Sequence, residues 1–130
     1  MKLELFINHK KRKIDFNHDD DSLINMNITS LEGLLPSLQD LTTLYIKYNS
    51  ITSLDGLPPM LTKLNISYNR IKSLEGLPAT LIFLDISQNH ITSLEGLPPM
   101  LTYLTFLVIA SHRWWNFHRR LLHFTFLTIL

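Results

Sequence analysis

The sequence predicts a single-domain solenoid in which short repeated units stack to form a parallel β-sheet. The 130 residues are 45% hydrophobic and 18% charged, with a net charge of +1, which fits one folded domain and excludes a disordered tail. The motif Ile-x-Ser-Leu-x-Gly-Leu-Pro begins at Ile51, Ile71 and Ile91, so it recurs with a constant period. The chain contains no cysteine, so stacking of apolar side chains must hold the units together without disulfides.

Each unit continues with the pattern Leu-x-x-Leu-x-Ile-x-x-Asn, which ends at Asn49, Asn69 and Asn89. The alternation of apolar and polar residues in this part predicts a half-buried strand. Stacked units place these strands side by side, so we expect a parallel sheet on the concave face. We also expect the three asparagine side chains to bond backbone groups of neighbouring turns, because buried backbone groups need partners.

The return path of each unit contains a glycine, a leucine and then Pro58, Pro78 or Pro98. Proline restricts φ and donates no hydrogen bond, so we expect a mostly extended or irregular convex face. An earlier copy of the unit begins at Ile28 and is three residues longer, which leaves room for one helical turn at 34–41. The repeats therefore span 28–109, in about four units of which the last is degenerate.

Residues 1–27 are predicted to form an N-terminal cap made of a β-hairpin and an acidic loop. Two apolar stretches flank a basic run at 10–13, which fits a hairpin tip or a nuclear-import signal. The loop carries His18 beside three aspartates, but four adjacent side chains do not easily converge on one metal ion. We therefore expect no metal site there.

Residues 110–130 form a basic and aromatic tail, for which three interpretations stay open. Ile109 stands where the ladder asparagine is expected, and 101–130 contain no acidic residue. At 100° per residue, residues 113–124 fit a basic amphipathic helix, which could cap the solenoid. The same composition fits a membrane interface. A shifted reading frame also produces an abrupt loss of a repeat. The residues placed at the membrane by the second interpretation are Trp114, Trp115, Phe117, Arg119 and Arg120.

Over residues 28 to about 106 this pattern resembles leucine-rich repeats. The 20-residue unit is similar to the short repeats of bacterial effector proteins, and the Ile-Thr-Ser-Leu-Glu-Gly-Leu return is similar to the repeats of phosphatase-regulator proteins. The resemblance implies an α/β-type leucine-rich repeat solenoid that acts by binding proteins. Some effectors of this type add a ubiquitin-ligase domain with a cysteine nucleophile, and this chain has no cysteine.

We therefore predict a noncatalytic protein–protein interaction module that binds an unidentified protein through its concave sheet face. Tyrosine is enriched at protein interfaces, and the outward positions of the strands contain several aromatic residues. Alternatives are a peripheral membrane protein anchored by 112–130 and a regulatory subunit of a phosphatase-like enzyme. The candidate partner-binding residues are Thr43, Tyr45, Lys47, Tyr48, Lys63, Asn65, Ser67, Tyr68, Phe83, Asp85, Ser87 and Gln88.

Motifs of catalysis and cofactor binding are missing from the sequence. We find no phosphate loop, dinucleotide fingerprint, zinc-protease motif or serine elbow, so we expect no enzyme activity, cofactor or metal. The near-neutral charge predicts no nucleic-acid partner. No secretory signal opens the chain, which together with the lack of cysteine predicts a cytoplasmic protein, with nuclear or membrane-peripheral locations as alternatives.

Overall fold

The computed structural model describes residues 2–15, 23–34, 37–109 and 123–129, and these form two β-sheets. A three-stranded sheet has the order β2-β1-β3, and a five-stranded sheet has the order β4-β5-β6-β7-β8. The strands are β1 (Lys2–Ile7), β2 (Lys10–Asp15), β3 (Ile28–Ser30), β4 (Thr43–Tyr45), β5 (Lys63–Asn65), β6 (Phe83–Asp85), β7 (Tyr103–Ile109) and β8 (His123–Ile129).

The larger sheet is parallel, as the repeat predicts, and its register follows the 20-residue period. Leu44 pairs with Leu64, Leu64 with Leu84, and Leu84 with Leu104. Each of these central leucines is buried, while the residues on both sides of it are half-buried or exposed. Equivalent positions of successive units therefore form columns across the sheet.

The core consists of leucine and isoleucine side chains contributed by every unit. In the second unit Ile51, Leu54, Leu61, Leu64 and Ile66 are at most 1% exposed. Burying one such side chain stabilises the fold by roughly 1.5–3 kcal/mol. Each unit buries its leucines against its neighbours, so stability depends on stacking rather than on any unit alone.

The return path consists of two consecutive turns and is less extended than the prolines suggest. The Leu57 amide donates to the Leu54 carbonyl at 3.3 Å, and Gly56 lies between them with φ +93°. That conformation is typical of the third position of a type II turn. A second turn follows, in which Leu61 donates to the Pro58 carbonyl at 3.5 Å. Glycine at positive φ therefore bends a path that proline alone would extend.

Two turn-closing hydrogen bonds lie in the longer first unit. The Leu38 amide donates to the Leu34 carbonyl at 3.0 Å, and the Leu41 amide donates to the Leu38 carbonyl at 3.0 Å. The part of the chain that the structure describes contains no helix.

The N-terminal strands β1 and β2 form an antiparallel hairpin that is joined to the first unit through β3. Asn8 and His9 at its tip have φ values of 50° and 60°, which suit a two-residue hairpin turn. Beyond the hairpin, Leu23 donates to the Tyr45 carbonyl at 2.7 Å, so the chain covers the outer edge of β4. Lys11 bonds Glu4 at 2.7 Å, and this hydrogen bond raises the pKa of Lys11.

The helical interpretation of 113–124 is wrong at residues 123 and 124, because residues 123–129 form β8. This strand pairs in parallel with β7 at all seven positions. The physical reason is composition, since the segment is rich in aromatic and β-branched residues that favour strands. Residues 113–122, which carry the rest of the predicted helix, lie outside the described residues.

Candidate partner-binding face

The outward side chains of β4 to β7, together with the residues that follow β4 to β6, make up what we call the sheet face. Four tyrosines are its most exposed aromatic residues. Tyr45 is 38% exposed, Tyr48 and Tyr68 are each 46% exposed, and Tyr103 is 50% exposed. These tyrosines come from three different units, so stacking of the units brings them onto one surface.

Tyr48 and Tyr68 form an aromatic pair just beyond the carboxyl ends of β4 and β5. Their ring centroids are 4.5 Å apart and the ring planes meet at 24°, so the rings are stacked. The Lys47 ammonium lies 5.7 Å from the centre of the Tyr48 ring, within the range of a cation–π contact. The pair therefore presents flat apolar surface beside a positive charge.

The backbone holds these two tyrosines in a conformation that bulky residues seldom adopt. Tyr48 has φ 59° and Tyr68 has φ 56°, both in the left-handed region. This conformation costs a residue other than glycine roughly 1–2 kcal/mol. Tyr48 and Tyr68 donate backbone hydrogen bonds to the carbonyls of Ser67 and Ser87, at 3.1 and 3.0 Å, which hold the strained turns in place.

A polar network crosses β5 and β6 in the middle of the sheet face. The side-chain amide of Asn65 donates to one Asp85 carboxylate oxygen at 3.1 Å. The other Asp85 oxygen accepts from the Ser87 hydroxyl at 2.6 Å and from the Ser87 backbone amide at 3.0 Å. Asn65 bonds Ser67 in the same way. Ser67 is only 3% exposed, so it lies below the surface that a partner can reach, unlike the surface position the alternation suggests.

The other predicted contact residues differ in how far they reach solvent. Lys63 and Gln88 are exposed, whereas Thr43 and Phe83 are half-buried. Tyr103 continues the column of Thr43, Lys63 and Phe83 and is exposed. Extending that column by one further repeat period identifies it.

Below the sheet face, the three recurring asparagines bond the backbone of neighbouring turns. Asn69 is 4% exposed, its side-chain oxygen accepts the Ile51 amide at 3.0 Å, and its nitrogen donates to the Ile46 and Ile66 carbonyls, both at 3.1 Å. Asn89 repeats this arrangement one unit later, with Ile71 at 2.9 Å. Asn49 reaches back to Met26 and Ile28 of the preceding segment, both at 3.0 Å.

Residues 59–99 match the family model for leucine-rich repeats in two copies. The chain contains leucine-rich repeats. Repeats of this family are generally protein–protein interaction modules and are typically noncatalytic. No curated protein and no solved structure matches the chain.

Charge is distributed unevenly around the leucine-rich repeats. Each return turn carries an exposed acidic residue two positions after a serine, and the serine hydroxyl accepts that residue's amide at 3.1 Å. Among the exposed cations of the repeats, Lys72 lies on one return path, whereas Lys63 and Arg70 lie within or just beyond the strand segments. The acidic turn residues are Glu32, Asp55, Glu75 and Glu95.

Other predicted sites receive no structural support in the described residues. Trp114, Trp115, Phe117, Arg119 and Arg120 lie outside them. Within the described ranges no group of three or more histidine, aspartate or glutamate residues could hold a metal ion. No helix found there is long and apolar enough to span a membrane.

Proposed function

We propose that the leucine-rich repeats form a solenoid that acts as a noncatalytic protein-binding module in the cytoplasm and binds its partner through the sheet face. The observation that carries this proposal is the stacked and exposed pair of Tyr48 and Tyr68. Tyrosine is among the residues that contribute most to binding energy at protein interfaces. A preformed pair also loses little conformational entropy when a partner binds.

Backbone strain at the two tyrosines supports the same proposal. Asparagine or glycine would occupy the left-handed positions of Tyr48 and Tyr68 at lower cost. The same conformation recurs at Gln88 one unit later, so the repeat sets it, and at Tyr48 and Tyr68 it is kept with a bulky ring. The rings gain from this backbone a fixed location beside the sheet.

The charges of the sheet face favour a partner with acidic groups around an apolar contact. Lys47 and Lys63 contribute two positive charges against the single negative charge of Asp85, whose carboxylate accepts three hydrogen bonds within the network. Complementary charge at the rim of an interface speeds association and selects among partners.

The experiment compares affinity capture from an extract of the source organism by three forms of the chain. One form carries Tyr48→Ala and Tyr68→Ala on the sheet face. The matched control carries Met60→Ala and Met100→Ala, which remove apolar residues that are 52% and 63% exposed on the return turns. Circular dichroism and urea unfolding establish that all three forms are folded.

We expect the unsubstituted chain and the methionine control to capture the same proteins, and the tyrosine variant to lose at least one of them. Isothermal titration with the purified captured protein then measures the change in Kd. A partner lost by the methionine control and retained by the tyrosine variant would contradict the proposal.

A further inference from the structure

The C-terminal part of the chain keeps the repeat length although it loses the repeat motif. β7 and β8 pair with a constant offset of one repeat period, from Tyr103 with His123 to Ile109 with Ile129. The segment 125–129 reads Thr-Phe-Leu-Thr-Ile, and the segment 105–109 reads Thr-Phe-Leu-Val-Ile. The period of the leucine-rich repeats therefore continues through residues that no longer encode them.

We propose that residues 105–130 are encoded by further copies of the same repeat, read one nucleotide out of phase. A repeat of 20 codons has the same period in every reading frame, because its length in nucleotides is a multiple of three. An out-of-phase frame therefore yields a different amino-acid sequence that still repeats with the original period. The proposal concerns the origin of the tail and is independent of the protein-binding function.

The genetic code allows the proposal to be checked at the strand isoleucine and the ladder asparagine. We consider the frame that joins the third base of each codon to the first two bases of the next codon. Across Thr105 and Phe106 this frame takes the unspecified third base of the threonine codon, written N, and the first two bases of the phenylalanine codon. It reads NTT, which includes the isoleucine codon ATT. Across Val108 and Ile109 it reads NAT, which includes the asparagine codon AAT. Both results recur one period later, at 125–126 and 128–129.

The return path can be recovered from the same frame. Over positions 111–121 it permits Ile-Thr-Ser-Leu-Val-Glu-Leu-Pro-Pro-Thr-Leu, whereas residues 91–101 read Ile-Thr-Ser-Leu-Glu-Gly-Leu-Pro-Pro-Met-Leu. Tryptophan has the single codon TGG. The bases of Trp114, Trp115 and Asn116 therefore read GTG and GAA in this frame, which encode the Val-Glu pair. We compare each repeat-frame codon from 105 to 130 with the residues at the equivalent position of the earlier units. Only the Val and Glu codons and the codon across 107–108 cannot encode any of those residues.

The remaining frame serves as a control, because it cannot encode the repeat. It joins the last two bases of each codon to the first base of the next. Across Thr105 and Phe106 it reads CNT, which never encodes isoleucine, and across Val108 and Ile109 it reads TNA, which never encodes asparagine. The match therefore belongs to one frame alone.

Loss of one nucleotide near the codon for Leu104 accounts for the whole tail. In the repeat frame the codons that follow encode another ladder asparagine, another return path and another strand. The tryptophans and arginines of 113–120 are then products of the displaced phase, and they were not selected to contact a membrane. The partner-binding sheet face would extend by a further unit in the repeat-frame protein.

The test is the nucleotide sequence of the gene across codons 101–130, determined from genomic DNA of the source organism. We expect adenine at the third position of the codons for Thr105, Val108, Thr125 and Thr128. These bases leave the encoded residue unchanged, so the protein itself places no demand on them. A different base at any of the four removes an isoleucine or an asparagine from the repeat frame and would overturn the proposal.

A second set of bases tests the return path independently. The codons for Phe117 and His118 should both end in cytosine, which encodes Pro-Pro in the repeat frame. Thymine at both positions would encode Ser-Ser and would contradict the proposal. The same determination locates the missing nucleotide, which is expected next to the codon for Leu104 when the repeat frame is aligned with the preceding units.

Discussion

The asparagine ladder couples neighbouring units through carbonyl groups that two asparagines share. The Ile46 carbonyl accepts from Asn49 and Asn69, and the Ile66 carbonyl accepts from Asn69 and Asn89. Asn49 and Asn89 share no acceptor. We therefore expect the double variant Asn69→Ala with Asn89→Ala to lose a free energy of unfolding that differs from the sum of the two single losses. In the double variant Asn49→Ala with Asn89→Ala, the two single losses should add.

The magnitude follows from the groups that each substitution leaves without a partner. In Asn69→Ala the buried Ile51 amide loses its acceptor, while the two carbonyls each keep one asparagine. The orphaned Ile51 amide costs about 1–3 kcal/mol, and each of the two hydrogen bonds lost at the Ile46 and Ile66 carbonyls costs about 0.5–1.5 kcal/mol. The free energy of unfolding should therefore fall by roughly 2–6 kcal/mol. Replacing Asn89 as well removes the second donor from the Ile66 carbonyl, which adds a coupling of about 1–3 kcal/mol.

Urea unfolding followed by circular dichroism measures these free energies for the single variants and the two double variants. An equal concentration of a stabilising osmolyte in all samples keeps the folded baseline visible for the weaker variants. The m-values should stay close to that of the unsubstituted chain. If both pairs show the same coupling within about 0.5 kcal/mol, the shared carbonyls do not link the units and the reasoning is refuted.

Two further predictions concern backbone conformation. Gly56, Gly76 and Gly96 share φ values of 91–94°, but an added Cβ would lie 2.8, 3.3 and 3.6 Å from the nearest backbone atom, so stability measured by urea unfolding should fall most in Gly56→Ala and least in Gly96→Ala. Equal losses of stability in the three variants would show that the distance from the added Cβ to the nearest backbone atom has no influence. Gln88→Gly should raise the free energy of unfolding by roughly 0.5–1 kcal/mol, because glycine relieves a left-handed position at φ 55° and Gln88 is exposed. A lower midpoint in the same assay would contradict this.

The repeat period predicted the parallel sheet and its register because the same leucines recur at one spacing. Leu44, Leu64, Leu84 and Leu104 can all be buried only when successive units stack at the same register. The family match at 59–99 has the same basis, since it covers two copies of the repeat within the evenly spaced units. Periodicity was therefore sufficient for the architecture of the described repeats.

The details of the sheet face depend on backbone geometry that alternation does not contain. Alternation placed Ser67 at the surface, but the tight turn toward Asn69 buries it. The stack of Tyr48 and Tyr68 arises from two residues at positive φ, which no pattern of apolar and polar residues specifies. The prolines suggested an extended return path because their effect was considered without that of the preceding glycines.

The strand at the C-terminus was missed for a different reason. The helical pattern over 113–124 considers the spacing of apolar residues in the tail alone. The strand at 123–129 is recognised only when these residues are compared with those one repeat period earlier. That comparison aligns Thr125 and Phe126 with Thr105 and Phe106 and indicates a strand paired with β7. A repeat that changes its residues can thus still be recognised by its period.

The two ends of the asparagine ladder are unequal, and this determines how the molecule would respond to tension. Asn49 ties the first unit to the N-terminal segment through Leu23 and Met26, whereas Ile109 occupies the next ladder position after Asn89. A pulling force should therefore detach units from the C-terminal side first. Each 20-residue unit releases up to about 66–72 Å of contour length. In an optical trap the repeats should lengthen in steps of nearly constant size, and the N-terminal sheet should yield last.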